Sequence, residues 1–300
     1  MNPQSNNKHI PVLLNEVLNA IQPLLERHQS PILIADGTLG GGGHTEALLK
    51  LSPKINVLGC DIDETAIDLV ENRLASFVEN KNLDFFHGSF VDIPENENGY
   101  DGILVDLGYS SNQLENPDYG MSFMKEGPLD MRLSRPATGP TAWDLLNTAP
   151  ENWLVEVFKS YGEIQIARKL VAAMRQDISN GTITDSTRSF AGWLEKKFPS
   201  LGRGHIHPAT TVFQALRIAT NDELRVLDRF LKTAILKLRK GGRLLVITFH
   251  SLEDRIVKQN CQKAGSLKAV YSKAIAASDE EIRMNPRSRS AKLRVYERTS

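Results

Sequence analysis

The sequence is poor in the residues that mark several classes of protein. It has only two cysteines, Cys60 and Cys261, in 300 residues, too few for a disulfide framework. No group of cysteines and histidines has the spacing of a zinc site. No apolar run approaches the roughly 20 residues of a membrane helix, and the polar start of the chain lacks the apolar core of a signal peptide. We therefore expect a cytoplasmic protein that binds no membrane and no metal.

The chain also lacks net charge. It has 36 lysines and arginines against 36 acidic residues, so bulk electrostatics do not indicate a nucleic-acid partner. Residues 283–298 are locally different, because they hold six basic side chains and only one acid, Glu297. Such a run is typical of a solvated face and also of an RNA contact, and both interpretations stay open.

Strand and helix patterns alternate through the first third of the chain, which predicts an α/β fold with a doubly wound parallel sheet. From about residue 108 the pattern is helical only. A helix over 223–238 and a strand over 243–249 then resume the α/β pattern. We expect a sheet domain formed by residues 1–113 and 217–300, interrupted by a helical insertion over residues 114–216. The predicted early strands cover residues 32–34, 56–61, 83–87 and 100–106, with helices over 45–51 and 66–77.

The most informative stretch is the glycine-rich run over residues 36–45, directly behind the first apolar strand. Glycine lacks a Cβ, so the backbone can turn through positive φ and a ligand can lie against bare main chain. A strand, glycine turn and helix in this order are shared by dinucleotide, nucleotide-phosphate and S-adenosylmethionine (SAM) sites. The run lacks the lysine of a phosphate-binding P-loop, which disfavours an NTPase. A tight connection without a ligand is the structural alternative.

Two further residues follow predicted strands and suit an adenosine ligand. Asp61 lies about 20 residues past the turn, where an acid can accept both hydrogen bonds of a ribose diol. Phe90 can lie against an adenine face. Asp61 as a helix cap and Phe90 as a core residue are the structural alternatives. NAD and SAM both contain an adenosine ribose, so these residues do not distinguish the two cofactors.

The fourth predicted strand ends at Asp106 and is followed by small residues and Tyr109. This pattern suits a planar amine that is held for methylation. An exocyclic base amine is a poor nucleophile because its lone pair is delocalised into the ring. An oxygen that accepts its N–H bonds favours a pyramidal nitrogen, aligned for in-line displacement. We therefore predict that Asp106 is catalytic and that SAM is the cofactor.

The chain resembles the MraW family of ribosomal RNA small-subunit methyltransferases, over nearly its whole length. The matching motifs are at residues 36–44, 106–108 with 110, 111 and 113, 127–132, 161–163, 207–210, 213–215, 217–218, 249–255 and 285–287, whereas Asn112 stands where the family commonly has proline. The resemblance implies a Rossmann-like class I SAM-dependent methyltransferase sheet, with the helical insertion recognising the substrate. It implies methylation of the N4 amine of a cytidine in the decoding region of 16S rRNA. The implied cofactor-binding residues are Gly42, Gly43, His44, Asp61, Phe90, Asp106 and Gln113.

The substrate contacts are expected at Arg132, His207, Arg217 and His250. Surface ion pairing is the alternative for Arg132, His207 and Arg217, and a core or helix-cap role is the alternative for His250. The expected partner is 16S rRNA within the small ribosomal subunit, because a neutral protein lacks nonspecific affinity for RNA. The sequence leaves the oligomeric state open, a homodimer included. Two alternative functions also remain, an N4/N6 amine methyltransferase acting on DNA and a SAM-binding ribosome-assembly factor without catalysis.

Overall fold

The computed structural model describes residues 10–202 and 207–300, with the backbone only at residues 111 and 112. The polar start of the chain, residues 1–9, lies outside these ranges. The strands are β1 (Ile32–Asp36), β2 (Ile55–Asp61), β3 (Leu83–His87), β4 (Tyr100–Asp106), β5 (Leu238–Thr248), β6 (Leu267–Ala269), β7 (Ile275–Ala276) and β8 (Lys292–Arg298). The helices of the sheet-containing part are α1 (Leu14–Arg27), α2 (Gly43–Leu51), α3 (Glu64–Arg73) and α4 (Ala75–Glu79).

Helices dominate the middle of the described chain. They are α5 (Ser111–Glu115), α6 (Ala142–Thr148), α7 (Glu151–Tyr161), α8 (Ala167–Ser179), α9 (Thr187–Lys197) and α10 (Ala209–Asn221). The chain then continues with α11 (Glu223–Lys237), α12 (Ser251–Lys263) and α13 (Asp279–Met284). Within the described ranges, none of the helices has the length and apolar content that crossing a lipid bilayer requires.

All eight strands form one sheet in the order β3-β2-β1-β4-β5-β8-β6, and β7 also pairs with β8. Strands β1 to β5 are parallel, whereas β8 runs antiparallel to β5. The chain moves outward from β1 to β3 and then returns to place β4 on the other side of β1. The predicted doubly wound α/β fold is confirmed. In such sheets ligands bind at the carboxyl ends of the strands where the order reverses, here β1 and β4.

The strands are apolar on both faces because helices cover the sheet on both sides. In β4, Leu104 belongs to one buried cluster, whereas Ile103 and Val105 belong to the other. Six of the seven β4 residues are buried, and the half-buried exception is Asp106. β4 therefore has a polar carboxyl end, at Asp106.

The described chain divides into two compact units. The first runs up to Gly108 and continues over Arg225–Ser300, and the second is Tyr109–Leu224. The dividing points differ by several residues from the expected ones after residues 113 and 216. The second unit contains no strand among its described residues. Its core is a single apolar cluster that includes the stacked rings of Phe190, Trp193 and Phe213.

Some elements differ from those expected. Helices α1 and α12 were not predicted, and α1 contains Pro23, a residue that disfavours helix interiors. The single helix expected over residues 66–77 is interrupted at Leu74, whose backbone leaves the helical region. Strand β5 begins at Leu238, so the glycine pair at 241–242 lies inside the strand and not before it.

Candidate functional site

The glycine turn connects β1 to α2 and is bonded to both neighbours of β1. Gly37 N–H donates to Leu104 O in β4 at 2.8 Å, and Leu39 N–H donates to Cys60 O in β2 at 2.8 Å. Gly40 and Gly42 have φ values of 49° and 70°, in the left-handed region that glycine occupies without strain. The turn is thus held rigidly at the carboxyl end of the sheet.

The glycines of the turn serve packing as well as backbone conformation. A Cβ on Gly42 would lie 2.7 Å from Val70, and a Cβ on Gly43 would lie 2.5 Å from Pro11. Gly41 differs, because it is exposed and a Cβ there would meet nothing within 4 Å. The expected cofactor contacts of Gly42 and Gly43 stay a prediction, and close packing is a sufficient reason for glycine at both positions.

Asp61 ends β2 and faces the glycine turn. Its Oδ2 accepts the Gly40 N–H at 2.7 Å, and its Oδ1 accepts the Asp63 N–H at 2.9 Å. Burial raises the pKa of Asp61 to about 6 and outweighs these two hydrogen bonds. The following helix is capped by Asp63, which accepts the Thr65 N–H, so Asp61 does not have the helix-cap role. Each carboxylate oxygen keeps a lone pair for a ligand.

Phe90 has the core role that the sequence left open, and its contact with adenine stays a prediction. Its ring meets Phe230 edge to face, with centroids 5.0 Å apart and an interplanar angle of 89°. It packs against the buried cluster on that face of the sheet but is itself only half-buried. One side of the ring therefore belongs to the core, and the exposed part can contact a flat ligand.

Asp106 ends β4 beside the turn, and its carboxyl group is electrostatically unusual. Its backbone N–H donates to Thr38 Oγ1 at 2.6 Å. Its Oδ1 is buried without a hydrogen-bond partner among the described residues. Burial raises the pKa of Asp106 well above its ordinary value, and the nearby charges of Asp36 and Glu253 raise it further. A buried oxygen without a partner is costly and points to a group supplied by a ligand.

His44 lies in the first turn of α2 and connects the glycine turn to Asp106. Its side chain is buried. Nε2 is 3.0 Å from Val12 O, and Nδ1 is 3.9 Å from Asp106 Oδ2. A carbonyl oxygen only accepts hydrogen bonds, so Nε2 carries the hydrogen. The ring is therefore held with Nδ1 on the side of the Asp106 carboxylate.

Asp36 is a site residue that the sequence analysis missed. It is the last residue of β1 and only 1% exposed. Its Oδ2 accepts the Thr45 hydroxyl hydrogen at 2.7 Å. Burial raises the pKa of Asp36 to about 6. The pattern that revealed Asp61 and Asp106, an acid directly after an apolar strand, also applies to Asp36 and could have found it.

The carboxylates of this region fit a cationic adenosine ligand. Asp36, Asp106 and Glu253 are close enough for two of their charges to raise the pKa of the third, so a positive group relieves their repulsion. The unpartnered Asp106 Oδ1 needs a hydrogen-bond donor. SAM carries a positive sulfonium and an ammonium group, and its ribose offers a diol to Asp61. The residues present therefore fit SAM.

The remaining predicted residues have structural partners within their own units. His250 precedes α12 and accepts the Glu253 N–H with Nδ1, and the Glu253 carboxylate reaches back to the His250 N–H. This is a capping box, so the helix-cap alternative is confirmed for His250. Whether His250 also contacts substrate stays a prediction.

Four predicted residues lie in the second unit. Gln113 accepts the Ser110 N–H and donates to Leu133 O. Arg132 forms two side-chain hydrogen bonds with Asp130, at 2.8 and 2.7 Å. His207 Nδ1 accepts the Ala209 N–H, and its ring stacks on Phe123 with centroids 4.7 Å apart. Arg217 binds Glu223 with Nε and Nη2 at 2.8 and 2.9 Å. Their proposed ligand contacts remain predictions.

Comparison with known proteins identifies the family. The model of the MraW methylase family matches residues 6–299. Ribosomal RNA small subunit methyltransferase H of Trichodesmium erythraeum (strain IMS101) is 41% identical over 292 residues, which cover 97% of this chain and 99% of that protein. The protein of the same name from Bdellovibrio bacteriovorus (strain ATCC 15356 / DSM 50701 / NCIMB 9529 / HD100) is 42% identical over 98% of this chain and 88% of its own. The chain therefore belongs to the MraW methylase family.

Proposed function

We propose that this protein transfers a methyl group from SAM to the N4 amine of a cytidine in the decoding region of 16S rRNA. The observation that carries the proposal is the Asp106 carboxylate at the carboxyl end of β4, whose buried Oδ1 has no hydrogen-bond partner within residues 10–202 and 207–300. Membership of a methylase family supports the reaction type. The names of the relatives support small-subunit ribosomal RNA as the substrate.

SAM, when bound, supplies a methyl group activated by a positively charged sulfur. Asp61 accepts hydrogen bonds from the ribose diol, and the exposed part of Phe90 packs on the adenine. The negative charges of Asp36 and Asp106 favour a cationic cofactor over its neutral product. Gly41, which has open space above it, allows the cofactor to approach the main chain of the turn.

Asp106 positions the nucleophile. Its Oδ1 accepts an N–H of the cytidine amine, which favours a pyramidal nitrogen with its lone pair directed at the methyl carbon. The new N–C bond would replace the S–C bond of SAM, whose electron pair stays on the sulfur, and would leave the nitrogen positively charged with one proton to lose. Because burial raises the pKa of Asp106 well above its ordinary value, this carboxylate is basic enough to take the proton that the nitrogen then loses.

The substrate is proposed to be RNA within the small ribosomal subunit. Formal net charge is zero, so the protein lacks the bulk attraction that drives nonspecific RNA binding. A structured particle can instead supply shape and several specific contacts. We propose that the second unit recognises this particle. We also propose that the reaction takes place in the cytoplasm. A homodimer is proposed as one form in which the enzyme acts.

The test is methyl transfer from isotopically labelled SAM to three substrates, namely small subunits lacking the modification, naked 16S rRNA and duplex DNA. We expect label in the small subunits, at a cytidine whose N4 carries the methyl group by mass spectrometry of nucleosides. Label in DNA alone would identify a DNA amine methyltransferase. SAM binding without label in any substrate would identify an assembly factor without catalysis.

A further inference from the structure

The segment Ile10–Leu13 lies directly against the glycine turn. Pro11 occupies the space that a side chain on Gly43 would need, because a Cβ there would be 2.5 Å from Pro11 Cγ. Val12 O is 3.0 Å from His44 Nε2. This short segment, far from the turn in sequence, therefore determines how the His44 ring is oriented beside Asp106.

The same segment is held from its other side by the C-terminal part of the chain. Leu13 N–H donates to Glu281 Oε1 at 2.7 Å. Asn285 Nδ2 donates to Ile10 O at 3.1 Å. Glu281 lies in α13, and Asn285 directly follows this helix. Two side chains from one short helical region thus bind the two ends of a four-residue segment.

Leu13 needs such support because its backbone is strained. Its φ and ψ are 54° and 35°, in the left-handed region that is unfavourable for a residue with a Cβ. The Leu13 side chain is fully buried, which fixes the residue on one side. The hydrogen bond that its amide donates to Glu281 Oε1 fixes the backbone on the other. Together they keep the Val12 carbonyl directed at His44.

We propose that Glu281, assisted by Asn285, is a positioning residue for the cofactor site and acts on His44 through the segment Ile10–Leu13. The chain of contacts runs from Glu281 to Leu13, from the adjoining Val12 carbonyl to His44 Nε2, and from the imidazole to the side of Asp106. The proposal rests on the proposed function, because His44 is a cofactor contact there. It gives a role to Asn285 in the motif at residues 285–287, which the function otherwise leaves unexplained.

The test compares Glu281→Ala with two matched variants. Glu281→Gln keeps an oxygen that can accept the Leu13 N–H. Glu280→Ala changes the exposed neighbour on the same helix. We expect Glu281→Ala to raise the Kd for SAM about 10-fold in calorimetric titration, because the contact between His44 and the cofactor is loosened. Glu281→Gln should restore most of the affinity, and Glu280→Ala should bind like the wild type.

A second measurement separates positioning from general stability. The imidazole ¹⁵N resonances of His44 report which ring nitrogen carries the hydrogen. In the wild type without cofactor we expect the Nε2–H form, and Glu281→Ala should give a mixture of both tautomers. Asn285→Ala should produce a smaller change in the same direction, and it carries the test if Glu281→Ala does not fold.

The outcomes are distinguishable. Unchanged SAM affinity together with an unchanged His44 spectrum in Glu281→Ala, or in Asn285→Ala if the former does not fold, would overturn the positioning role. A lower melting temperature with an unaltered His44 spectrum and normal affinity would also overturn it, since Glu281 would then be only structural. Failure of the wild type to bind SAM would refute the proposed function, while the His44 spectrum would still test the positioning.

Discussion

The hydroxyl of Thr45 donates to the Asp36 carboxylate at 2.7 Å, so the first turn of α2 is bonded to the last residue of β1. Asp36 also accepts the Thr38 N–H at 3.4 Å, and Thr38 Oγ1 in turn accepts the Asp106 N–H. A fully buried acid thus holds both the helix that carries His44 and the residue that binds the Asp106 backbone. Asp36 therefore supports the site through Thr38 and Thr45, and this role requires no contact with a ligand.

Asp36→Asn should flatten the pH dependence of stability. Burial raises the pKa of Asp36 from 3.8 to about 6, so the folded state binds the proton more tightly than the unfolded chain. The wild type therefore loses stability as pH rises from 3.8 towards 6, by up to about 3 kcal/mol from this group. The amide cannot ionise, and this part of the decline should disappear.

Urea unfolding at about pH 4 and about pH 7 measures the decline in the free energy of unfolding, with exposed Asp84→Asn as the control. Equal declines in all three proteins would contradict the prediction.

Asp106→Ala should abolish methyl transfer, with a loss of about 100-fold or more, because the acceptor beside the amine is removed. The free energy of unfolding should stay the same or increase, since the variant no longer buries an oxygen that has no partner among the residues described. Turnover with labelled SAM and thermal unfolding give the two readouts. Asp92→Ala, at an exposed position, should change neither. Near-normal turnover in Asp106→Ala would remove its amine-positioning role.

The pH profile of kcat/KM should show an acid limb well above the pKa of an ordinary aspartate. The carboxylate form of Asp106 is the acceptor, and its pKa is raised by burial and by the charge of Asp36. Activity is therefore lost as pH falls through the raised pKa. In Asp36→Asn one of the repelling charges is absent, so the limb should move to lower pH. A limb that stays in place, or moves to higher pH, would show that another group titrates.

Asp61→Asn should weaken SAM binding about 10-fold or more, as expected for a lost hydrogen bond to a charged group. In the wild type, the two Asp61 oxygens accept the Gly40 and Asp63 N–H groups. The amide group of the Asp61→Asn variant would instead direct its own N–H hydrogens at one of these donors. The sharper test uses the 2′-deoxy analogue of SAM. Wild type should prefer SAM over the analogue, whereas Asp61→Asn should bind both with similar affinity. An undiminished preference in the variant would assign the ribose to another residue.

Arg217→Lys should destabilise the second unit by about 1–3 kcal/mol, because lysine cannot form the bidentate ion pair that Arg217 makes with Glu223. The guanidinium also lies 5.0 Å from the centre of the Tyr109 ring, a contact that lysine makes less well. Glu223→Gln should cause a similar loss in urea unfolding. If Arg217 instead acts mainly on RNA, Arg217→Lys would weaken binding to small subunits without lowering stability, and Glu223→Gln would leave binding intact.

The local sequence pattern was sufficient to predict the strands that position the site. β1 to β4 are apolar runs that end near turns, and Asp61 and Asp106 were placed correctly at strand ends for that reason. The helices α1 and α12 were not predicted, although α1 has a regular apolar face with Val17, Ala20, Ile21 and Leu24 buried. That histidine, His250, caps α12, one of the roles the sequence left open.

The contacts that orient the site were beyond local pattern. Glu281 binds the amide of a residue 268 positions away, and neither residue type nor spacing indicates such a pair. The left-handed conformation of Leu13 is equally hidden, because leucine gives no indication of positive φ. That Asp106 Oδ1 is buried with no partner in the described part of the chain is a property of packing, which only the folded chain reveals.

The position of the second unit within the chain has a consequence for synthesis on the ribosome. β4 ends at Asp106, but its partner β5 begins at Leu238, so roughly 130 residues must be added before β4 gains its second neighbour. At about 5–20 residues per second, the delay is on the order of 10 s. Throughout this delay, one edge of β4, a strand with the apolar centre Ile103–Val105, remains unpaired on the nascent chain, where it can pair with another polypeptide. The insertion therefore lengthens the time for which an unpaired strand edge is exposed during translation.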